Sequence, residues 1–181
     1  MSKTEPTFRE TKLGVLPIEM IESIIFDNVI LVKSYIFEQY KILDFSVETI
    51  LLFHKMLCEN LYPEAGLYRK HNVRMGNFNP VDFYKVPIQM KDLDADIKTR
   101  IPHLKTDTEK KSFLAYIMWR ILWIHPFFDY NGRVTRLFGE LFLLKNNMSL
   151  STFSGTKRTD FTNAMKKATE ENIFDDIENM F

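Results

Sequence analysis

The chain has 181 residues, 45% hydrophobic and 27% charged, and its sixteen Phe and nine Met give one ordinary globular domain volume for a sizeable core. Lys plus Arg and Asp plus Glu both number 24, so no net field draws it to nucleic acid or anionic lipid, and six Gly and seven Pro are too few for a linker-rich array. The single Cys58 cannot close an intramolecular disulfide, the opening MSKTEPTFRE has no apolar signal core, and the apolar stretch at residues 113–124 is broken by Arg120 and shorter than the ~18 residues a membrane span needs; a cytoplasmic protein is expected.

Residues 1–16 read as a flexible N-terminal segment and 17–181 as a single domain. From Pro17, the positions Met20, Ile21, Ile24, Ile25, Val29, Val32, Ile36 and Phe37 recur at helical spacing and predict a long first helix. Ser46, with Thr49 three residues on, caps a second helix carrying Val47, Ile50, Leu51, Met56 and Leu57. Between Pro63 and Pro87 the helical period fails, and the stretch GLYRKHNVRMGNFNP predicts a small β-hairpin. Val86, Met90, Leu93, Ile97 and Ile101 then form one apolar stripe of a surface helix that Pro102 stops. Thr106-Asp107-Thr108-Glu109 opens an apolar helix running to Ile124, residues 134–145 make another with Gly139 inside it, and Thr159-Asp160 starts a penultimate helix before a short terminal one. The fold class is mainly all-α, a helical bundle with one hairpin.

Chemistry concentrates between the two apolar helices, in HPFFDYNGRVTR at residues 125–136. The N-terminus of a helix presents unpartnered N–H groups and the positive end of its dipole, and the Asn131-Gly132 turn adds oriented amides, so a phosphate fits there. Arg133 and Arg136, three residues apart, supply two guanidinium groups suited to several phosphate oxygens. A carboxylate beside a polyphosphate is repelled unless it holds a cation, which makes Asp129 the candidate Mg²⁺ ligand. His125, at the end of the apolar helix, can take a proton near neutral pH, and Phe127 would anchor the loop. Taken singly, the arginines are a solvated helix face, Asp129 an N-cap and Asn131-Gly132 a turn; together they serve one Mg-polyphosphate. His54, His71 and His103 lack such companions and read as structural.

The run HPFFDYNGRVTR resembles the Fic family motif HxFx(D/E)GN(G/K)RxxR, departing only where Tyr130 replaces the usual Gly. Gly66-Leu67-Tyr68-Arg69 and Val73-Arg74-Met75 resemble the family's flap hairpin and its lead-in. The resemblance covers roughly residues 17 to 170. It implies a Fic-type helical bundle that transfers AMP from ATP with Mg²⁺ to a Ser, Thr or Tyr hydroxyl of a target protein, and the Asn-Gly-Arg form is similar to the nucleotidyl transferases. It makes His125 the general base, Asp129 the Mg²⁺ ligand, Asn131 and Gly132 the anion hole, and Arg133 with Arg136 the phosphate clamp. Leu67, Tyr68, Arg69, Val73, Arg74 and Met75 would form the flap on which a target docks by strand addition. If the family's Gly uses a positive φ, Tyr130 would be strained by ~1–3 kcal/mol or would shift the loop.

Ser23, Asp27 and Asn28, in SIIFDN, are similar to the inhibitory motif (S/T)xxxE(G/N), with Asp for Glu. The resemblance makes residues 17–41 a candidate inhibitory helix whose Asp27 would reach Arg136; the same spacing also suits an ordinary surface Asp. Transfer of UMP, phosphocholine or a terminal phosphate stays open, as does a catalytically degenerate module that only docks a strand. Self-modification and a homo-oligomer are compatible with the sequence.

Overall fold

The computed structural model describes residues 7–74, 78–150, 153 and 156–181. The expected class holds: the described residues are mainly helical, with one two-stranded antiparallel hairpin.

The hairpin lies elsewhere than expected. Strands β1 (Phe8–Thr11) and β2 (Gly14–Pro17) pair with Arg9 opposite Leu16 and Thr11 opposite Gly14, around a two-residue turn. Gly14 takes φ +98°, a value that glycine adopts without steric cost, and Thr11 Oγ1 donates to the Gly14 carbonyl at 2.8 Å. Residues 8–17 therefore belong to the folded body rather than to a flexible segment. Two four-residue strands are marginal by themselves. Here Lys12 N donates to the Leu61 carbonyl at 2.8 Å, Lys12 Nζ to the Glu59 carbonyl at 2.8 Å, and Leu16 packs against the core. Within 66–85, by contrast, the described residues form no ladder and only an isolated bridge at Phe78.

Helix α1 (Ile18–Gln39) buries Ile21, Ile25, Asn28, Val32 and Ile36, steps of three and four that lie on one face. The C-cap and the turn after it are held from another helix: Lys145 Nζ donates to Tyr40 O at 3.0 Å and Leu43 O at 2.6 Å. Helix α2 (Val47–Cys58) begins at Ser46, whose hydroxyl accepts from Thr49 N. Helix α3 (Val86–Arg100) presents Met90, Leu93 and Ile97 to the core, and a 3-10 turn over Ile101–His103 contains Pro102.

Helix α4 (Asp107–Ile124) starts with a full capping box. Glu109 N donates to Thr106 Oγ1 at 3.2 Å and Thr106 N to Glu109 Oε2 at 2.8 Å. It buries Phe113, Leu114, Ile117, Met118, Ile121 and Ile124. Helix α5 (Asn131–Lys145) starts three residues earlier than its apolar pattern suggests and lies along α4. Gly139 permits that approach, because a Cβ there would stand 3.1 Å from Met118 Sδ and 3.2 Å from the Phe153 ring. Helices α6 (Arg158–Glu171) and α7 (Asp175–Glu178) close the far side of α4, while α1 and α2 cover α5. The α4–α5 pair is thus enclosed on both sides. No helix among the described residues is long and apolar enough to cross a membrane.

Candidate active site

Helix α4 ends because His125 takes a left-handed conformation, φ 53° and ψ 62°, with its N–H still donating to Ile121 O at 2.8 Å. Pro126 cannot continue the helix. The chain turns, buries Phe127 completely, and re-enters helix at Asn131. Asn131 is nearly fully buried, and its amide clamps this turn: Phe127 N donates to Asn131 Oδ1 at 2.9 Å and Asn131 Nδ2 donates to Phe127 O at 3.0 Å. Its side chain is consequently spent on holding the loop. Only its backbone N–H and that of Gly132, first-turn groups without an intrahelical acceptor, remain for an anion hole. A Cβ at Gly132 would meet nothing within 4 Å, so there is open space beside this residue.

Beneath the loop sits His54. Its ring stacks on Phe127 with centroids 3.8 Å apart and planes 2° from parallel, and its Nδ1 accepts from Gly66 N at 2.8 Å. Burial lowers its pKa to about 4. The structural role expected of His54 holds, with one addition: it supports the residue that fixes the loop.

Arg69 departs furthest from expectation. Only 5% of its surface is exposed, and its side chain donates to backbone carbonyls: Nε to His125 O at 2.7 Å, Nη1 to His71 O at 2.9 Å, and Nη2 to Val81 O and, at 3.3 Å, to Ile124 O. Its own N–H donates to Pro126 O at 2.9 Å. Five donors in a rigid fork suit such a cluster of carbonyls. Arg69 is therefore a buried staple between the 67–81 segment and the loop that follows α4, and its side chain is not on a docking surface. Leu67 is exposed, Tyr68 and Val73 are half-buried, Arg74 is exposed, and Met75 lies outside the described residues.

His125 is held as a neutral imidazole. Burial chiefly, and then the nearby positive charge of Arg69, lower its pKa to about 4, and its Nδ1 is buried without a hydrogen-bond partner. Arg133 has a second orphan, a buried Nη1, while its Nη2 pairs with Glu22 of α1 and its Cζ lies 5.3 Å from the Tyr130 ring centroid. Arg136 turns away from Arg133. Its Nη2 donates to Thr156 O at 2.7 Å and Phe153 O at 3.3 Å, with its Cζ 5.6 and 5.4 Å from the Phe153 and Phe161 ring centroids. The two guanidiniums expected to form one clamp do not converge here.

Tyr130 does adopt the left-handed backbone, φ 59°, and is the N-cap of α5. Its ring is buried beside Tyr62 and Phe128, so packing offsets the backbone cost. Asp129 accepts from Tyr130 N at 2.7 Å through Oδ1 and from Arg9 Nη1 at 2.7 Å through Oδ2. Among the described residues no cluster of three or more His, Cys, Asp or Glu could form a metal cage. A lone carboxylate on a phosphate-binding loop still fits Mg²⁺, which takes one or two carboxylates and completes its shell with phosphates and water.

The three candidate inhibitory residues of α1 lie on two sides of the helix. Asp27 is exposed, with no hydrogen bond or ion pair among the described residues, and Arg136 is engaged elsewhere; Ser23 is also exposed. Asn28 is buried, and its Nδ2 donates to Leu57 O at 2.8 Å and Asn60 Oδ1 at 3.1 Å, which fastens α1 to the end of α2. A step of one residue, about 100° of helix phase, explains this: the face carrying Ile21, Ile25 and Asn28 faces the core and leaves Asp27 outside.

The fold and this loop define a helical-bundle protein with a half-buried histidine at the end of one core helix and the N-terminus of the next helix six residues on. A family model described as Fic/DOC matches residues 44–143, and the chain belongs to that family. It is 32% identical over 104 residues to the protein adenylyltransferase fic-1 of Caenorhabditis elegans, an alignment covering 57% of this chain and 20% of that protein. The chain thus spans about a fifth of that relative's length. Among solved structures it resembles BepC, a VirB-translocated effector of Bartonella tribocorum with bound AMPPNP, at TM-score 0.80 and 16% identity, covering 99% of this chain and 92% of the other. The N-terminal Fic domain of a cell filamentation protein with bound ADP from Bartonella quintana gives TM-score 0.80 at 15% identity, covering 100% and 91%. At these identities the structural likeness speaks for the fold.

Proposed function

We propose that this Fic-type transferase is a protein adenylyltransferase that moves AMP from Mg-ATP to a hydroxyl side chain of a target protein, with itself among the candidate targets. The observation that carries the reading is the neutral, half-buried His125 directly preceding a loop whose next elements are the carboxylate of Asp129, the Asn131 and Gly132 amides, and Arg133. Membership of the Fic/DOC family and the adenylyltransferase relative support it.

The target hydroxyl attacks the α-phosphorus of ATP and a new O–P bond forms as the bond to the bridging oxygen of pyrophosphate breaks. His125 takes the hydroxyl proton, which its lowered pKa permits because the imidazole is unprotonated throughout the neutral range. The first-turn amides of α5 face the phosphate oxygens, and Arg133 supplies fixed positive charge. A divalent cation held by Asp129 would neutralise charge on the departing pyrophosphate. Asn131, Phe127, His54 and Arg69 act earlier in the chain of causes, by fixing the loop that carries these groups.

Incubation of the protein and a cell lysate with Mg-ATP labelled at the α-phosphate, followed by mass analysis of the labelled proteins, tests this. An AMP adduct is expected, and His125→Ala should reduce it by ~10²–10⁴-fold while nucleotide still binds. An adduct of UMP, phosphocholine or bare phosphate, obtained when the matching donor replaces ATP, would reassign the transferred group. Adduct formation that survives His125→Ala would remove the proton-acceptor role.

A further inference from the structure

Both oxygens of the Asp129 carboxylate already have partners, and one of them comes from the far end of the chain. Strand β1 alternates exposed and half-buried residues, which turns Phe8 and Glu10 outward and Arg9 and Thr11 inward. Arg9 is thereby aimed at the loop, where its Nη1 stands 2.7 Å from Asp129 Oδ2. The strand is fixed independently of that contact, by Lys12 on the Leu61 and Glu59 carbonyls and by Ile18 N on Thr7 O at 3.0 Å.

The segment leading out of the hairpin makes a second such contact. Glu22, in the second turn of α1, pairs with Arg133. Residues 9–22 thus place a cation against the carboxylate expected to hold a cation and a carboxylate against the guanidinium expected to hold phosphate. The charges are those that a metal-polyphosphate would bring, in the same order along the loop. A divalent cation at Asp129 would be repelled by Arg9 at this distance, and a phosphate at Arg133 would be repelled by Glu22. Neither pair is sealed: the side chains of Arg9 and Asp129 are 40% and 39% exposed and those of Arg133 and Glu22 32% and 46%. Partly exposed pairs of this kind are weak enough to exchange for a stronger ligand.

We propose that the N-terminal hairpin and the start of α1 form a displaceable latch on the active site, in which Arg9 holds Asp129 and Glu22 holds Arg133 until a divalent cation and a nucleotide polyphosphate replace them. The proposal rests on the reading of this loop as a Mg-nucleotide site and adds its regulation: cation and nucleotide bind at the expense of two internal ion pairs. The latch sets the cation concentration at which the site fills, and a partner that lifts the hairpin would lower it.

The test is binding of Mn²⁺, followed by its paramagnetic signal, to the full chain saturated with a non-hydrolysable ATP analogue. Arg9→Gln should lower the half-saturating Mn²⁺ concentration about two- to five-fold, the range expected for losing one exposed pair. Arg9→Lys, which keeps the charge and loses the fork, should fall between Arg9→Gln and the unaltered protein and serves if the glutamine variant folds poorly. Glu22→Gln should tighten binding of the analogue by a similar factor at excess Mn²⁺. Asp129→Asn should abolish the nucleotide-dependent Mn²⁺ uptake. If Arg9→Gln leaves the Mn²⁺ requirement unchanged or weakens it while Asp129→Asn still abolishes uptake, the latch is overturned and the site reading stands. If the analogue binds more weakly to Arg9→Gln without metal, Arg9 is a phosphate ligand and the latch is overturned too. If the unaltered protein shows no nucleotide-dependent uptake of Mn²⁺, the site reading fails and the latch with it.

Discussion

The imidazole of His54 lies flat against the ring of Phe127, centroids 3.8 Å apart, so the second helix supports the loop between α4 and α5 from below. Phe127 is fully buried, which makes Phe127→Ala the more damaging substitution, at about 3–5 kcal/mol of stability. His54→Ala should cost less, and a double-mutant cycle should return a coupling of about 0.5–1.5 kcal/mol for the stacked pair. Chemical denaturation of the four proteins measures this; additive losses would mean that the rings touch without supporting each other.

Acid should destabilise the protein before its carboxylates titrate. His54 and His125 both have folded pKa values near 4, against about 6.5 when unfolded, with burial the principal cause in each. Below pH 6.5 the unfolded chain takes up protons that the folded chain refuses, so stability present above that pH is lost as the pH falls towards 4. The slope is on the order of 1.4 kcal/mol per pH unit for each histidine. Denaturant midpoints taken from pH 7 to pH 4.5 should fall accordingly, and His54→Gln should make the decline shallower. A flat profile would show that neither imidazole is protected.

Tyr130→Gly would relieve a left-handed tyrosine and remove a buried ring in the same change. Loss of an aromatic side chain commonly costs about 3–5 kcal/mol, and the glycine conformational benefit at this φ is about 1 kcal/mol. A lower melting temperature is therefore expected, with no gain in transfer. A rise in both turnover and stability would show instead that the tyrosine is a steric burden on the loop.

Asp27→Glu should leave ATP affinity and transfer unchanged, because Asp27 points to solvent and Arg136 is bound to the carbonyls of Thr156 and Phe153. Equilibrium nucleotide binding by calorimetry is the decisive measurement. Weaker binding in the variant would return the helix to an inhibitory role.

Much of this protein is determined by the sequence alone. Ser46 and the Thr106–Glu109 pair cap the helices expected of them, and the apolar steps in residues 17–37, 86–101 and 113–124 each supply a buried helix face, with Met20 and Phe37 left exposed. Such signals are legible because a helix is stabilised by neighbours three and four residues apart. The active-site loop is legible for the same reason, since His125, Asp129, Asn131 and Arg133 lie within nine residues and α4 and α5 fix the chain on both sides. What only the tertiary structure decided is which distant group each of these residues meets. Arg9 and Asp129 are 120 residues apart, Glu22 and Arg133 are 111, and Arg69 and His125 are 56. Nothing in local spacing marks such pairs, because they depend on how the hairpin, α1 and the 67–81 segment dock onto the bundle. The same cause moved the hairpin: the pairing of β1 with β2 becomes favourable when Leu61 and Glu59 offer carbonyls to Lys12, and Arg69 draws the segment expected to form strands onto the ends of α4 and its loop.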